Sequence, residues 1–467
     1  MKKNLLKELV LILFCVPLLS ACYDYKEPND IAYVIAIGID KGNKDGIYNF
    51  CLQYARPTQI TGGASEEGGK TDNTSGIINI ESPSVYSALN LGNHVLSKTL
   101  TLSHTKIIIV SEDIALQGIS PVIDTLGRSA DIRPNVYFCV SKGSAKEYIE
   151  AVKPTIEINP AKYYRLIFEN NNSSYIPVND AQKVYFNYKN GFKQNVLPYV
   201  GVAKEEQKKG SGEEENSGDS SEKKEDSGNS SQSESSQNST KNNEGSNSSD
   251  SENFQKELND VPINESNFEY HVKDYIAGNM DVEKENKSEA IGAAIFKGDK
   301  MISSFSGVDS ETFNLLNGTY KNGYSVIYSK TSPQNPITIR LFQKAKPRVK
   351  IKLKNDAPHI DITLFLEGDL VSVPSNNFIE KNIDLFENDT KNYINSVLSE
   401  FLERTKKEYD SDILGFGSIA RRSFLTYDDF LNYNWNEKYK NTVFTLKINF
   451  EVKKMGLRIK EENGIEG

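Results

Sequence analysis

Alternation of apolar and polar positions is most regular in the C-terminal part of the chain. Over 444–452 every second residue is apolar, and Thr, Lys, Asn and Glu occupy the positions between them, which is the pattern of a strand with one buried face. Similar alternation over 337–341, 349–353 and 360–364 predicts further strands of an antiparallel sheet. Residues 384–409 carry apolar side chains at three- and four-residue steps, which predicts a long amphipathic helix covering that sheet.

The first half of the chain mixes short apolar runs with amphipathic segments, which is typical of a sheet with helices packed on it. The predicted strands are 31–39, 48–55, 106–110 and 136–140. The predicted helices are 84–97, 112–126 (broken by a glycine and a proline) and 145–152, which Ser144 caps. Residues 163–202 have weaker periodicity and are interpreted as a smaller second subdomain, while 290–304 predicts a hairpin that opens the C-terminal domain.

One internal segment contains no apolar or aromatic residue. Residues 204–253 consist mainly of Ser, Asn, Glu, Gly and Lys, with 13 acidic and 6 basic side chains, a net charge of −7. Such a composition cannot bury enough surface to offset the entropy of ordering, so the segment is predicted to be disordered. Because the whole chain has a net charge of −9, most of its acidity lies here and does not indicate a cationic ligand.

These patterns predict a multi-domain α+β protein with two to three mixed domains. The predicted parts are a signal peptide over 1–21, an N-terminal mixed α/β region over 22–203 with one or two subdomains, a disordered insert over 204–256, a connecting segment over 257–288 and a C-terminal α+β domain over 289–467. No apolar run reaches the roughly 18–20 residues that a membrane-spanning helix needs, which argues against a polytopic membrane protein.

The N-terminus has the organisation of a lipoprotein signal. Three lysines within the first seven residues precede an 11-residue apolar run over 9–19, which suits a signal-peptide core. Small residues Ser20 and Ala21 then stand directly before Cys22, as in the bacterial lipobox, where the thiol receives a diacylglyceryl group. A secreted protein with an incidental cysteine is the alternative. The lipoprotein interpretation predicts a covalent lipid at Cys22 that anchors the chain on the outer face of the membrane.

The remaining cysteines and histidines suggest no metal or redox centre. Cys51 and Cys139 lie in apolar strand-like runs and are expected to be buried thiols, with one disulfide as the alternative outside the cytoplasm. His104 precedes an apolar strand and is expected to be a buried, hydrogen-bonding histidine. We therefore expect no metal and no cofactor besides the lipid.

Motif searches give no support to an enzyme. Residues 64–71 (ASEEGGKT) lack the first glycine of a phosphate-binding loop, and 415–420 (GFGSIA) follow a helix rather than a strand. We interpret the first as a loop and the second as a sharp turn. A net charge of −9 also argues against a nucleic-acid binder that depends on a basic surface. The chain is therefore expected not to be an enzyme and to have no nucleic-acid partner.

Several short motifs occur in a defined order along the chain. They are CYDYKEPNDIA at 22–32, LSHTK at 102–106, DTLGR at 124–128, IGAAIFK at 291–297, DILGFG at 412–417 and Trp435. Together with the lipobox they resemble the Ger(x)C family, the lipoprotein C subunits of spore germinant receptors. The resemblance covers nearly the whole mature chain except the Ser/Asn-rich insert. It departs from the family at Tyr23, where the family usually has Trp.

The resemblance implies a function in spore germination at the spore inner membrane, within a receptor that also contains A-type and B-type integral membrane subunits. It implies no enzymatic role and a fold of three mixed α/β domains. Cys22 is the one functional residue that it transfers, as the lipidation site. Asp24, Glu27 and Asn29 are candidate partner contacts, with a simple spacer between membrane and first strand as the alternative. Whether this subunit contacts the germinant stays open.

Two other classes of protein are kept as alternatives. A lipid-anchored solute-binding protein of a transporter would have two similar α/β lobes around a cleft, and the antiparallel pattern of the second half argues against it. A lipid-anchored hydrolase would need a nucleophile paired with a general base, and the motif searches find no such pair.

Overall fold

Two β-sheets organise the chain in its computed structural model. The residues that it describes are Lys7, Glu27, 30–56, 75–157, 159–169, 174–203, 275–280, 285–327, 337–354, 357–372 and 383–454. The predicted insert over 204–256, the phosphate-loop-like segment over 64–71 and nearly all of the predicted signal peptide lie outside these residues.

The first sheet has nine strands within the described residues. They are β1 (Ile31–Lys41), β2 (Tyr48–Ala55), β3 (Ser75–Ser82), β4 (Thr99–Thr101), β5 (Ile107–Ser111), β6 (Tyr137–Ser141), β7 (Val196–Val202), β8 (Ser288–Lys297) and β9 (Lys300–Phe305). Their order is β3-β2-β1-β5-β6-β7-β8-β9, with β4 beside β1. Strands β1, β5, β6 and β7 are parallel, and antiparallel strands flank them on both sides.

Helices cover both faces of the first sheet. They are α1 (Val85–Val95), α2 (Glu112–Gln117), α3 (Ser120–Arg128), α4 (Ala145–Ala151), α5 (Pro160–Glu169) and α6 (Ala181–Asn190). Helices α1, α2, α3 and α6 contribute to one core, while α4 and α5 contribute to the other. Strand β5 is buried along its whole length because Ile108 faces the first core and Ile109 the second, as central parallel strands require. Ser144 caps α4, as predicted, by accepting a hydrogen bond from the Glu147 amide.

The second sheet consists of β10 (Asn322–Ile327), β11 (Ile337–Lys352), β12 (His359–Ser372) and β13 (Val443–Lys454), in that order. Helix α7 (Gly307–Asn317) precedes it, and α8 (Ile383–Lys407) is the predicted long helix. Between α8 and β13 lie α9 (Phe416–Ala420), a 3-10 turn (Arg421–Ser423), α10 (Tyr427–Tyr433) and α11 (Trp435–Tyr439). The inner face of the sheet and helix α8 share one core, and the predicted α+β class is confirmed.

Three details differ from the sequence-based predictions. Strand β13 pairs with β12 in parallel, because the helices α8 to α11 carry the chain back to the start of the sheet. The hairpin β8–β9 extends the first sheet through β7 rather than the C-terminal sheet. Residues 163–202 do not form a separate subdomain, since α6 packs on the first sheet and β7 belongs to it.

The hairpin begins with strand β8, which is buried along nearly its whole length. Both of its faces are apolar, and they serve different cores. Ala293 and Ile295 face the core of the second sheet, while Ala294 and Phe296 face a core of the first. Strand β8 therefore lies at the contact between the two halves of the fold.

Candidate functional site

The residues that the sequence singled out do not converge on one place. Cys22, Asp24 and Asn29 lie outside the described residues, so lipidation and partner contacts there stay predictions. Glu27 is exposed, and its carbonyl accepts a hydrogen bond from the Asp30 amide at 2.9 Å, one residue before β1 begins. None of the helices in the described ranges is long and apolar enough to cross a membrane.

The two body cysteines are buried free thiols, as predicted. Cys51 lies on β2 and Cys139 on β6, and β1 and β5 separate these strands in the sheet, so the alternative disulfide does not form. Burial raises the pKa of Cys51 to about 12 and raises that of Cys139 well above its usual value. Neither thiol is therefore poised as a nucleophile.

The prediction of a buried His104 is wrong. Its ring is exposed, lies edge-on to Tyr33 with the ring centroids 4.5 Å apart, and has Nδ1 3.0 Å from the Ser103 hydroxyl. The next residue, Thr105, is the buried one, and its hydroxyl donates to the Val34 carbonyl. Partial burial, with the neighbouring cations Arg133 and Lys106, lowers the pKa of His104.

The most highly organised polar site surrounds Asp412, in the loop between α8 and α9. Its Oδ1 accepts hydrogen bonds from the amides of Gly415 at 2.8 Å and Phe416 at 3.0 Å. Its Oδ2 accepts from the Gly417 amide at 2.6 Å and from the Trp435 indole nitrogen at 2.9 Å. Burial raises the pKa of Asp412, and these four hydrogen bonds oppose the rise. The side chain thus closes the turn before α9 and ties it to α11.

Gly415 begins this turn with a left-handed backbone. Its φ of +78° is readily adopted by glycine and seldom by other residues. The interpretation of residues 415–420 as a sharp turn is therefore correct.

The Asp412 loop also joins the two sheets. The Asp412 carbonyl accepts a hydrogen bond from the Gln194 amide at 3.1 Å, just before β7. The Gln194 side chain accepts from the Gly298 amide at 2.7 Å, in the turn between β8 and β9. The Ser411 hydroxyl donates to the Phe296 carbonyl at 3.1 Å. These hydrogen bonds tie the loop to the first sheet, and the Phe416 ring packs against Phe444 of β13, with the ring centroids 5.7 Å apart. We call this loop and its contacts the junction.

A groove opens beside the junction. The Arg421 guanidinium lies over the rings of Phe192 and Tyr427, 5.6 and 5.4 Å from their centroids. Leu425 is 100% exposed and Leu431 is half exposed. The groove has a volume of about 360 Å³ and is lined by Ser418, Arg421, Arg422, Phe424, Leu425, Thr426 and Tyr427. An apolar tip flanked by two arginines is a surface suited to a protein partner.

The polar groups at the junction stabilise the fold. Three backbone amides and the Trp435 indole donate to the Asp412 carboxylate, and Asp412 is buried, so its carboxylate is not presented to a substrate. Among the described residues there is no group of three or more His, Cys, Asp or Glu side chains that could hold a metal ion. The arrangement can hold two sheets in a fixed relation and present the groove beside them.

Models of two protein domains match this chain. The model described as "Spore germination protein N-terminal domain" matches residues 24–202, and the one described as "Spore germination B3/ GerAC like, C-terminal" matches residues 291–456. The two matches together cover well over half of the 467 residues. The chain belongs to the Ger(x)C family of spore germination proteins.

Curated relatives of this Ger(x)C chain come from Bacillus subtilis (strain 168). The putative spore germination protein YfkR is 33% identical over 150 residues, and spore germination protein KC is 29% identical over 171 residues. These alignments cover 32% and 34% of this chain and 38% and 42% of the two relatives, so the chain spans about two fifths of their length. The crystal structure of the GerBC protein is similar over 89% of this chain and 96% of that one, with 15% identity and a TM-score of 0.48.

The motifs that resemble the Ger(x)C family fall on constrained parts of the fold. IGAAIFK at 291–297 lies in β8, between two cores. DILGFG at 412–417 and Trp435 form the hydrogen-bonded cluster of the junction. Sequence reasoning assigned no role to Asp412, although an Asp three residues before a Gly-Phe-Gly turn was the available signal for a carboxylate that caps the turn.

Proposed function

We propose that this Ger(x)C chain is the lipid-anchored C-type subunit of a spore nutrient germinant receptor. The observation that carries the proposal is the match to both spore germination domain models in order, over 24–202 and 291–456. The second support is the sequence pattern that ends in Cys22, which suits a covalent diacylglyceryl anchor and a location on the outer face of the spore inner membrane.

In this role the chain is a non-enzymatic partner of A-type and B-type membrane subunits, needed for receptor assembly or signalling. The organisation of the junction supports a structural role, because its buried carboxylate ties the loop before α9 to α11 and the loop itself is hydrogen-bonded to the first sheet. The groove around Leu425 is the surface that we assign to subunit contact. The candidate contacts Asp24, Glu27 and Asn29 would lie between the anchor and β1.

The fold argues against the solute-binding alternative. That class needs two similar lobes, whereas the described residues form a nine-stranded sheet of mixed direction and a four-stranded sheet with a different strand order. The hydrolase alternative would need an activated nucleophile. Cys51 and Cys139 do not supply one, because burial raises the pKa of both thiols.

A Cys22→Ala variant tests the anchor, with Cys15→Ala as the matched control because Cys15 leaves with the predicted signal peptide. We expect Cys22→Ala to shift the protein out of the spore membrane fraction and to reduce germination on nutrients, while Cys15→Ala changes neither. Deletion of the gene tests the receptor role separately. Normal germination of the deletion strain on every nutrient that triggers the parent would contradict the proposed function.

A further inference from the structure

The outer face of the second sheet has an unusual charge distribution. After the β-bulges in β11, the side chains of Arg348, Lys350 and Lys352 alternate with apolar residues that pack on the core. Those inward residues are Val349, Ile351 and Leu353. Because side chains alternate between the faces of a strand, the three cations share the outer face, where all three are exposed.

Strand pairing adds a fourth cation to this face. Arg348 lies opposite Thr363 on β12, and Thr363 lies opposite Lys447 on β13. Lys447 is exposed and alternates with the inward-facing Leu446 and Ile448. The Arg348 guanidinium also stacks on the Phe365 ring, 4.9 Å from its centroid, which holds it against the sheet. We call Arg348, Lys350, Lys352 and Lys447 the basic face.

The other half of the same surface is neutralised. Lys344 lies 2.6 Å from Glu367 and 3.0 Å from Glu451, and Lys453 also pairs with Glu367. Two lysines and two glutamates therefore balance one another. If the outer face served only to keep the protein soluble, the same balanced pairing of lysines and glutamates could extend across all of it.

The basic face lacks this balance. Asp361 pairs with Lys352 at 3.3 Å. Within the described part of the chain, Arg348, Lys350 and Lys447 have no carboxylate within 4.0 Å. The basic face therefore has four cations and one carboxylate, although the whole chain has a net charge of −9.

The arrangement of charges on this face indicates which kind of ligand it can bind. Strands β11, β12 and β13 form an extended support for this face, and cations two residues apart on β11 lie roughly 7 Å apart. Three of the four cations are lysines. Their ammonium groups act as separate point charges, whereas an arginine guanidinium can bind one carboxylate through two parallel hydrogen bonds. Such an array suits a planar surface that offers many separate anions. We propose that the basic face binds the headgroups of an anionic phospholipid membrane.

This inference rests on the proposed membrane location and deepens it. A lipid anchor at Cys22 would hold the basic face at a high effective concentration near the bilayer. Basic side chains then add a second, reversible contact with anionic lipid. The membrane contact would orient the second sheet, which the anchor on the other domain cannot do alone.

Vesicle sedimentation tests the proposal. The full chain carrying Cys22→Ala is mixed with phosphatidylcholine vesicles that do or do not contain phosphatidylglycerol. The test variant adds Lys350→Gln, Lys352→Gln and Lys447→Gln. The control adds Lys41→Gln, Lys44→Gln and Lys300→Gln, which change the net charge equally at exposed positions in the first sheet or in the turn between β1 and β2.

We expect the test variant to bind phosphatidylglycerol vesicles at least about tenfold more weakly than its parent, since each basic residue near an anionic surface contributes about fivefold. The control should bind within about twofold of the parent, and added salt should abolish the difference between test and control. Equal binding of test and control variants would overturn the membrane assignment.

Equal vesicle binding combined with defective germination of the test variant would instead assign the face to an acidic protein partner. A failure of the proposed function has a different signature, namely normal germination after deletion of the gene. The vesicle result does not depend on that outcome.

Discussion

Two carboxylates in the second half of the chain, Asp412 and Glu311, have different surroundings. Asp412 accepts four hydrogen bonds, three from consecutive backbone amides and one from Trp435. Glu311, on α7, accepts two, from the hydroxyls of Tyr320 at 3.2 Å and Ser325 at 3.0 Å, and both reach the same oxygen. Burial raises the pKa of Glu311 to about 7, because its two hydroxyl donors only partly oppose the desolvation.

The difference shows what decides the behaviour of an acid that is largely shielded from water. Backbone amides cannot rotate to become acceptors, so around Asp412 they are satisfied only by an acceptor, which the carboxylate provides. Hydroxyls can rotate and accept a proton from a neutral acid, so the site around Glu311 tolerates both protonation states. We infer that Asp412 is a fixed part of the junction and that Glu311 titrates near neutral pH.

Replacement of Asp412 should have the largest effect. Asp412→Asn keeps the shape but removes the charge and directs an amide group toward donors, leaving buried N–H groups unpaired. We expect the free energy of unfolding to fall by about 3 kcal/mol, measured by chemical denaturation.

The matched control is Asp410→Asn, two residues earlier. Asp410 has a left-handed backbone with φ of 46°, which Asn tolerates, and it pairs with Lys297 at the surface at 2.7 Å. The control should lose less than about 1 kcal/mol. Equal losses in the two variants would show that the Asp412 cluster does not stabilise the junction.

Glu311→Gln should have the next largest effect, and its sign depends on pH. The pKa of Glu311 is raised from 4.5 to about 7, so the folded state binds the proton more tightly than the unfolded state. The stability that this provides is present below pH 4.5 and is lost as pH rises through 7. At pH 8 the glutamine variant should therefore gain on the order of 2 kcal/mol relative to the native chain.

The measurement compares the free energy of unfolding of the native chain and of Glu311→Gln at pH 5 and pH 8. The difference between the two proteins cancels the titration of other groups. A difference that does not change with pH would mean that Glu311 has an ordinary pKa in the folded protein.

Local patterns predicted the elements of this fold better than their pairing. The alternation over 444–452 correctly predicted β13, since a period of two residues is a local property of a strand. Its parallel pairing with β12 depends on the path of the chain through α8 to α11, which the local spacing of apolar residues does not indicate. Strand β8 was likewise predicted, but an apolar run with two buried faces does not indicate which core each face will join.

The candidate site was less predictable than the fold because its contacts are distant in sequence. Trp435 donates to Asp412 across 23 residues, and Gln194 reaches the same loop from before β7. His104 was wrongly predicted to be buried because it adjoins the apolar run of β5, and the chain turns so that Thr105 points inward instead. The motif order nevertheless indicated the family correctly, since it does not depend on which side chains meet.

Removal of one donor from Asp412 should have a smaller effect than removal of the carboxylate. Trp435→Phe keeps an aromatic ring in the core and deletes the indole N–H that reaches Oδ2 at 2.9 Å. We expect a loss of about 1–2 kcal/mol in the free energy of unfolding, as for one hydrogen bond to a charged group together with a small loss of packing. A loss as large as that of Asp412→Asn would mean that the indole, and not the amides, organises the junction.

Removal of one donor from Glu311 should have the smallest effect. Ser325→Ala deletes a hydroxyl whose hydrogen bond lowers the pKa of Glu311, so the pKa should rise further above 7. At pH 5, where the acid is neutral in the folded state, the variant should differ from the native chain by only about 0.5 kcal/mol. At pH 8 the loss should be greater, because the ionised carboxylate then has only the Tyr320 hydroxyl. The measurement is the free energy of unfolding of both proteins across this pH range. A loss that is larger at pH 5 than at pH 8 would mean that Ser325 stabilises the protonated form of Glu311. The difference between Glu311 and Asp412 would then be due to the backbone amides around Asp412 alone.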